Sequence, residues 1–152
     1  MSNCCARSGT ITSLIVDASV AAGWFFPEVY SESARQLLNE PYRLIAPDLF
    51  LHELGNIAWK KVRHREMAST QAVQLMRDLR DLSMLQIRAA TSVAVAEQAL
   101  EISMRYDRSF YDSLYLALAL EEQLPLITAD RKLYNALQGT DLSFTILWVE
   151  RV

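Results

Sequence analysis

The chain has 152 residues, 51% of them hydrophobic, with a formal net charge of -3 and a pI near 5.4. That is the size of one domain, apolar enough to bury a core, and the acidic balance argues against an ordinary duplex-reading module, which needs a basic face. Charges interrupt every apolar stretch well short of the ~20 residues that a membrane-crossing helix requires. No secretory signal is read at the start, so a cytoplasmic protein with no membrane contact is expected.

Residues 1–13 are expected to be a loose extension ahead of a single domain spanning 14–152. Cys4 and Cys5 are adjacent and lack the spacing and further ligands of a zinc site, so they read as reduced thiols in that tail. From there the pattern alternates. Short apolar runs at 14–16, 43–46, 84–87, 126–128 and 145–149 have strand length, several of them rich in β-branched residues. Segments with helical periodicity lie between and around them, at 20–26, 33–39, 49–65, 70–82, 93–106, 110–123 and 131–137. Strands alternating with helices imply right-handed crossovers and a parallel sheet covered on both faces. An α/β fold, a three-layer α/β/α sandwich, is therefore expected, and open sheets of this kind bind ligands beyond the carboxyl ends of their strands, where strand order reverses.

Four acids occupy informative places. Asp17 follows the run Leu-Ile-Val and stands at the end of the first strand; a helix N-cap is its ordinary role. Asp130, in Pro-Leu-Ile-Thr-Ala-Asp, repeats that arrangement. Asp112 falls three residues after Ser109, where it could complete a capping box, yet the helix behind it is apolar nearly all round and must be buried. Glu53 lies along the stripe of Phe50, Leu54 and Ile57, at the edge of an apolar face where a carboxylate needs a partner, either a basic residue or a cation. If the four converge on one crevice they repel one another unless a cation sits among them, and all-oxygen ligation suits Mg²⁺ or Mn²⁺.

The segments Leu-Ile-Val-Asp-Ala-Ser, His-Glu-Leu-Gly-Asn, Tyr-Asp-Ser-Leu-Tyr-Leu-Ala-Leu-Ala and Leu-Ile-Thr-Ala-Asp-Arg-Lys-Leu, in this order and spacing, resemble the signature segments of PIN domains, specifically the VapC-type toxins. The resemblance covers nearly all of the chain after residue 13. It implies a five-stranded parallel sheet and a metal-dependent endoribonuclease that leaves a 5′-phosphate and a 3′-hydroxyl. On this reading Asp17, Glu53, Asp112 and Asp130 are the metal ligands and catalytic acids, Mg²⁺ or Mn²⁺ the cofactor, and Ser19, Asn56 and Thr128 polar residues of the same pocket. The implied partners are an RNA substrate, a cognate antitoxin and a second copy of the chain in a homodimer. One or two divalent ions can activate an in-line water, stabilise the non-bridging oxygens and assist the departing 3′ oxygen, so no nucleophilic side chain is required.

Competing readings are weaker. His52-Glu53 lacks the second histidine of a zinc peptidase helix, because Asn56 stands in its place. An aspartyl-phosphate enzyme wants an Asp two residues after the first, where Ser19 is found. The basic run Lys60, Lys61, Arg63, His64, Arg65 could guide RNA or simply complement a helix C-terminus, and Arg105 and Arg108 are equally divided. Trp24, Phe25, Phe26, Tyr30 and Trp59 are assigned to the core rather than to a partner surface. A PIN-like module that binds RNA or protein without cleaving, and a housekeeping nuclease outside any toxin–antitoxin pair, remain as alternatives.

Overall fold

The computed structural model describes residues 11–88 and 91–152; most of the expected N-terminal extension, with Cys4 and Cys5, lies outside the described residues. In chain order the elements are β1 (Thr12–Val16), α1 (Ala18–Phe25), α2 (Ser31–Gln36), β2 (Tyr42–Pro47), α3 (Leu49–Arg63), α4 (Ser69–Asp81), β3 (Leu85–Arg88), α5 (Val93–Tyr106), α6 (Phe110–Glu122), β4 (Leu126–Thr128), α7 (Arg131–Leu137) and β5 (Ile146–Trp148), closed by a 3₁₀ turn at Val149–Arg151. The five strands form one sheet in the order β3-β2-β1-β4-β5, and every pairing is parallel. The α/β class and the five-stranded parallel sheet are thus as expected. Thr12 and Ser13, placed by sequence in the loose extension, belong to β1 and stand in register with Tyr42 and Arg43.

The strands read as unbroken apolar runs because a parallel sheet covered on both faces buries both sets of alternating side chains. Leu14, Ile15 and Val16 of β1, Leu44 and Ile45 of β2, and Leu126 and Ile127 of β4 are all buried. Right-handed crossovers place α1 to α4 on one face and α5 to α7 on the other. Helix α6 is buried around its whole circumference from Ser113 to Ala119, since it packs on β1, β2 and β4 with α5 laid over it. Gly23 lets α1 approach α2: a Cβ there would meet the Ala34 Cβ at 2.9 Å. Within the same contact the Trp24 indole N–H donates to the Ala34 carbonyl at 2.9 Å.

The chain runs outward from β1 through β2 to β3, then returns to β4 on the opposite side of β1. Strand order therefore reverses at β1 and β4, and the crevice beyond their carboxyl ends is where such a fold binds ligands.

Candidate active site

Asp17 is the first residue past β1 and Thr128 the last of β4, so adjacent parallel strands deliver both to the reversal point. Asp17 is buried although charged. It occupies the N-cap position of α1, yet its side chain caps nothing. Instead its Oδ2 accepts hydrogen bonds from the Ser19 and Thr128 hydroxyls, both at 2.6 Å. Each hydroxyl oxygen in turn accepts a backbone N–H, that of Ala129 onto Ser19 and that of Asp130 onto Thr128, both at 3.0 Å. Both side-chain donors converge on one oxygen, leaving Oδ1 without a side-chain donor among the described residues.

Glu53 is half-buried on α3, where Leu54 is sunk in the core and carries Glu53 to the rim of the crevice. Its partner is not a cation. The phenol of Tyr115, on α6, donates to Glu53 Oε2 at 2.6 Å, and Tyr115 is itself buried. Asp112 stands one helical turn before Tyr115 on the same face of α6. The helix start is capped by Ser109, whose hydroxyl accepts the Asp112 N–H at 3.0 Å, so the Asp112 carboxylate is not needed as a cap. Asp130 does cap: its Oδ1 accepts the N–H groups of Lys132 and Leu133 at 2.8 and 3.0 Å. The ordinary structural role weighed for all three aspartates thus holds for Asp130 and fails for Asp17.

The electrostatics tie three of the acids together. Burial pushes the Asp17 carboxyl above its ordinary range and the charge of Asp112 pushes it further, while the hydroxyls of Ser19 and Thr128 pull it back. Burial likewise raises Glu53, opposed by the Tyr115 phenol and reinforced by the charges of Asp17 and Asp112. The Tyr115 phenol is raised by burial first, then by the Asp17 and Glu53 charges. Among the described residues no Lys, Arg or His forms an ion pair with Asp17, Glu53, Asp112 or Asp130. Nor do three His, Cys, Asp or Glu side chains there stand together as a ready-made cage for a metal. Mg²⁺ keeps several waters and takes one or two carboxylates directly. A buried, hydroxyl-braced carboxylate with neighbouring acids and no compensating cation is a donor set of the right chemistry for such an ion.

An acid whose folded pKa lies above its unfolded value binds more protons when folded, so stability falls as pH rises between the two. For Asp17 and Glu53 that window opens at their ordinary values, 3.8 and 4.5. Relative to the metal-free parent, Asp17→Asn should therefore gain stability as pH is raised from about 4, which unfolding of the two proteins measured over that rise will check.

Other residues singled out by sequence are distributed as follows. Ser19 and Thr128 are in the site; Asn56, one turn after Glu53 on α3, is exposed and no hydrogen bond joins it to the acids. His52 is exposed and its Nδ1 lies 3.0 Å from the Asp48 carbonyl. Lys61 pairs with Glu28 and Glu66 at 3.5 and 3.3 Å, and Arg105 with Asp141 at 3.0 Å. Trp24 and Phe26 are core residues as expected, whereas Trp59 is 52% exposed. The Arg63 guanidinium lies over its ring, 4.8 Å from the centroid. Tyr115, in an apolar helix, reads as core from sequence alone; its spacing of three from Asp112 is the signal that points to the site.

The family model of the PIN domain matches residues 14–137 of the chain. Among curated proteins the chain is similar to Ribonuclease VapC3 of Pyrobaculum aerophilum, 28% identical over 120 residues that cover 79% of this chain and 91% of that protein. Two solved structures are similar in fold. One is a toxin–antitoxin complex from Klebsiella pneumoniae, with a TM-score of 0.63 and 19% identity over 88% of this chain and 95% of that one. The other is VapC20 of Mycobacterium tuberculosis, described as a sarcin–ricin loop cleaving toxin, with a TM-score of 0.64 and 20% identity over 81% and 94%.

Proposed function

The chain belongs to the PIN domain family, and on that premise we propose that it is a Mg²⁺- or Mn²⁺-dependent endoribonuclease, the toxin of a toxin–antitoxin pair. The observation that carries the reading is Asp17: buried, braced by two hydroxyls onto one oxygen, flanked by other acids and paired with no cation. Asp17, Glu53 and Asp112 would hold the ion, with Asp130 contributing through the oxygen that its cap leaves open. When bound, the ion supplies positive charge for the phosphodiester oxygens and lowers the cost of generating a nucleophile from water.

The remaining chemistry falls to the chain itself. Ser19 and Thr128 fix the Asp17 carboxylate in one orientation, and Tyr115 does the same for Glu53 by donating to Oε2, so neither ligand must be ordered at the moment of reaction. Arg131, exposed one residue beyond Asp130, provides a cation to attract RNA against the net charge of the chain. The partner protein is proposed by likeness to the toxin–antitoxin complex from Klebsiella pneumoniae. A homodimer is supported by exposed apolar side chains on α5 and at the head of α6, among them Leu100, Met104 and Tyr111. No helix among the described residues is long and apolar enough to cross a membrane, in keeping with a proposed cytoplasmic site of action.

The reading is tested with the purified chain, free of any partner, incubated with total RNA and with synthetic single strands. Cleavage in Mg²⁺ or Mn²⁺ that leaves 5′-phosphate ends and stops in EDTA is expected. Cleavage undiminished by EDTA contradicts the metal reading; tight RNA or partner binding with no cleavage under any divalent ion favours the non-catalytic module.

A further inference from the structure

We infer that the cleft adjoining Asp17 is a base-recognition subsite that takes one unstacked guanine of the RNA, with the Glu28 carboxylate as its reader. The inference rests on the ribonuclease reading above and deepens it. The cleft has a volume of about 360 Å³, and its lining includes Ser19, Gly23, Glu28, Tyr30, Ile57 and Ala129. Two of these belong to the acid site: Ser19 donates to Asp17 Oδ2, and the Ala129 N–H donates to the Ser19 hydroxyl. A phosphate at the acids and a base in the cleft therefore lie within one nucleotide's reach, and the volume is at the small end of ligand sites, suited to one base and not to a folded element.

The walls suit a flat ring. Gly23 presents no side chain, and Ile57 supplies an apolar surface. Tyr30 supplies an aromatic one, and it is held in place before any ligand arrives. Arg131 Nη2 donates to the Tyr30 hydroxyl at 2.6 Å, and the Tyr30 ring stands edge-on to Trp148 with centroids 4.7 Å apart. The Arg131 guanidinium in turn lies 4.2 Å from the Trp148 centroid. Stacking on a fixed aromatic ring accepts any base, so discrimination must come from polar groups.

Few are available. The Ser19 hydroxyl donates to Asp17, and the Tyr30 oxygen accepts from Arg131 while keeping its O–H to donate; the charged side chain among the described lining residues is Glu28, an acceptor only. Guanine alone offers two adjacent donors on its Watson–Crick edge, N1–H and the exocyclic amino group, a match for a bidentate carboxylate. Adenine and cytosine place an acceptor nitrogen beside their amino group, and uracil places a carbonyl on each side of its one N–H; each of these would face the carboxylate with a repulsive oxygen or nitrogen. Lys61 Nζ, 3.5 Å from Glu28 Oε1, anchors the carboxylate and offsets part of its charge.

The test uses the full chain and Glu28→Gln on single-stranded oligoribonucleotides identical except for one base, in Mg²⁺. The parent should cut beside guanine at least about 5-fold faster than beside uracil, the low end for a bidentate contact, and Glu28→Gln should erase most of that ratio. Cleavage with no base preference, or a guanine preference that Glu28→Gln leaves intact, overturns the inference. If no RNA is cut at all, the nuclease reading has failed and binding of the nucleosides themselves decides. Guanosine bound more tightly than uridine, and weakened in Glu28→Gln, upholds the subsite; equal binding of the two overturns it.

Discussion

Asp17→Asn should abolish RNA cleavage, by on the order of 10³-fold or more, while leaving the metal-free protein at least as stable as its parent. Loss of a hydrogen bond that merely supports a metal ligand typically costs roughly 10- to 100-fold, and removal of the ligand itself should exceed that. The stability half of the prediction follows from the hydrogen bonds. Both hydroxyls converge on Oδ2, and an amide oxygen in that place still accepts both, through weaker bonds than a carboxylate makes. The amide nitrogen then takes the position of Oδ1, where it cannot ligate a cation. What disappears is a buried negative charge that burial and the Asp112 charge both disfavour. A variant that is inactive because it fails to fold would melt lower than the parent; this one should melt at the same temperature or higher, most visibly at neutral pH.

Adding Mg²⁺ or Mn²⁺ should move stability in the opposite sense. An ion that binds only the folded chain contributes about 2.7 kcal/mol at a free concentration of 100 times Kd. For a domain of this length each kcal/mol corresponds to roughly 2–4 °C in melting temperature, so a rise of about 5–10 °C is expected in scanning calorimetry. EDTA should reverse it, and K⁺ at matched ionic strength should not reproduce it, because simple screening acts on exposed charges and not on a buried carboxylate. In Asp17→Asn the rise should fall to about half or less, the effect of an affinity weakened 10-fold or more, because a ligand is lost while Glu53 and Asp112 still repel one another.

Much of this is legible in the sequence. All five strands and seven helices lie where alternating apolar runs and helical periodicity place them, because a parallel sheet and its covering helices write their burial directly into the side-chain pattern. The circumferential burial of α6 was visible for the same reason. What periodicity does not carry is convergence. Asp17 and Thr128 are 111 positions apart, and Glu53 and Tyr115 are 62 apart; both pairs meet only because β4 returns to the far side of β1. A local pattern offers the same N-cap role to Asp17 and to Asp130, and only the path of the backbone decides that Asp130 caps and Asp17 does not. Trp59 was misjudged because an aromatic residue on an amphipathic helix is usually turned inward, whereas here the buried stripe runs through Phe50, Leu54 and Ala58. The segment around Glu28 and Tyr30 has no periodicity at all, and its place beside the acids comes from the turn between α1 and α2.

Direct titration of the metal-free chain with Mn²⁺, read by calorimetry and repeated on Asp17→Asn, tests the claim on which the rest depends, that these acids form a cation site. Saturable binding by the parent, competed by Mg²⁺ and weakened at least about 10-fold in the variant, is the result expected of a site built on Asp17. Equal affinity in the two proteins, or no binding by the parent at neutral pH, would contradict it.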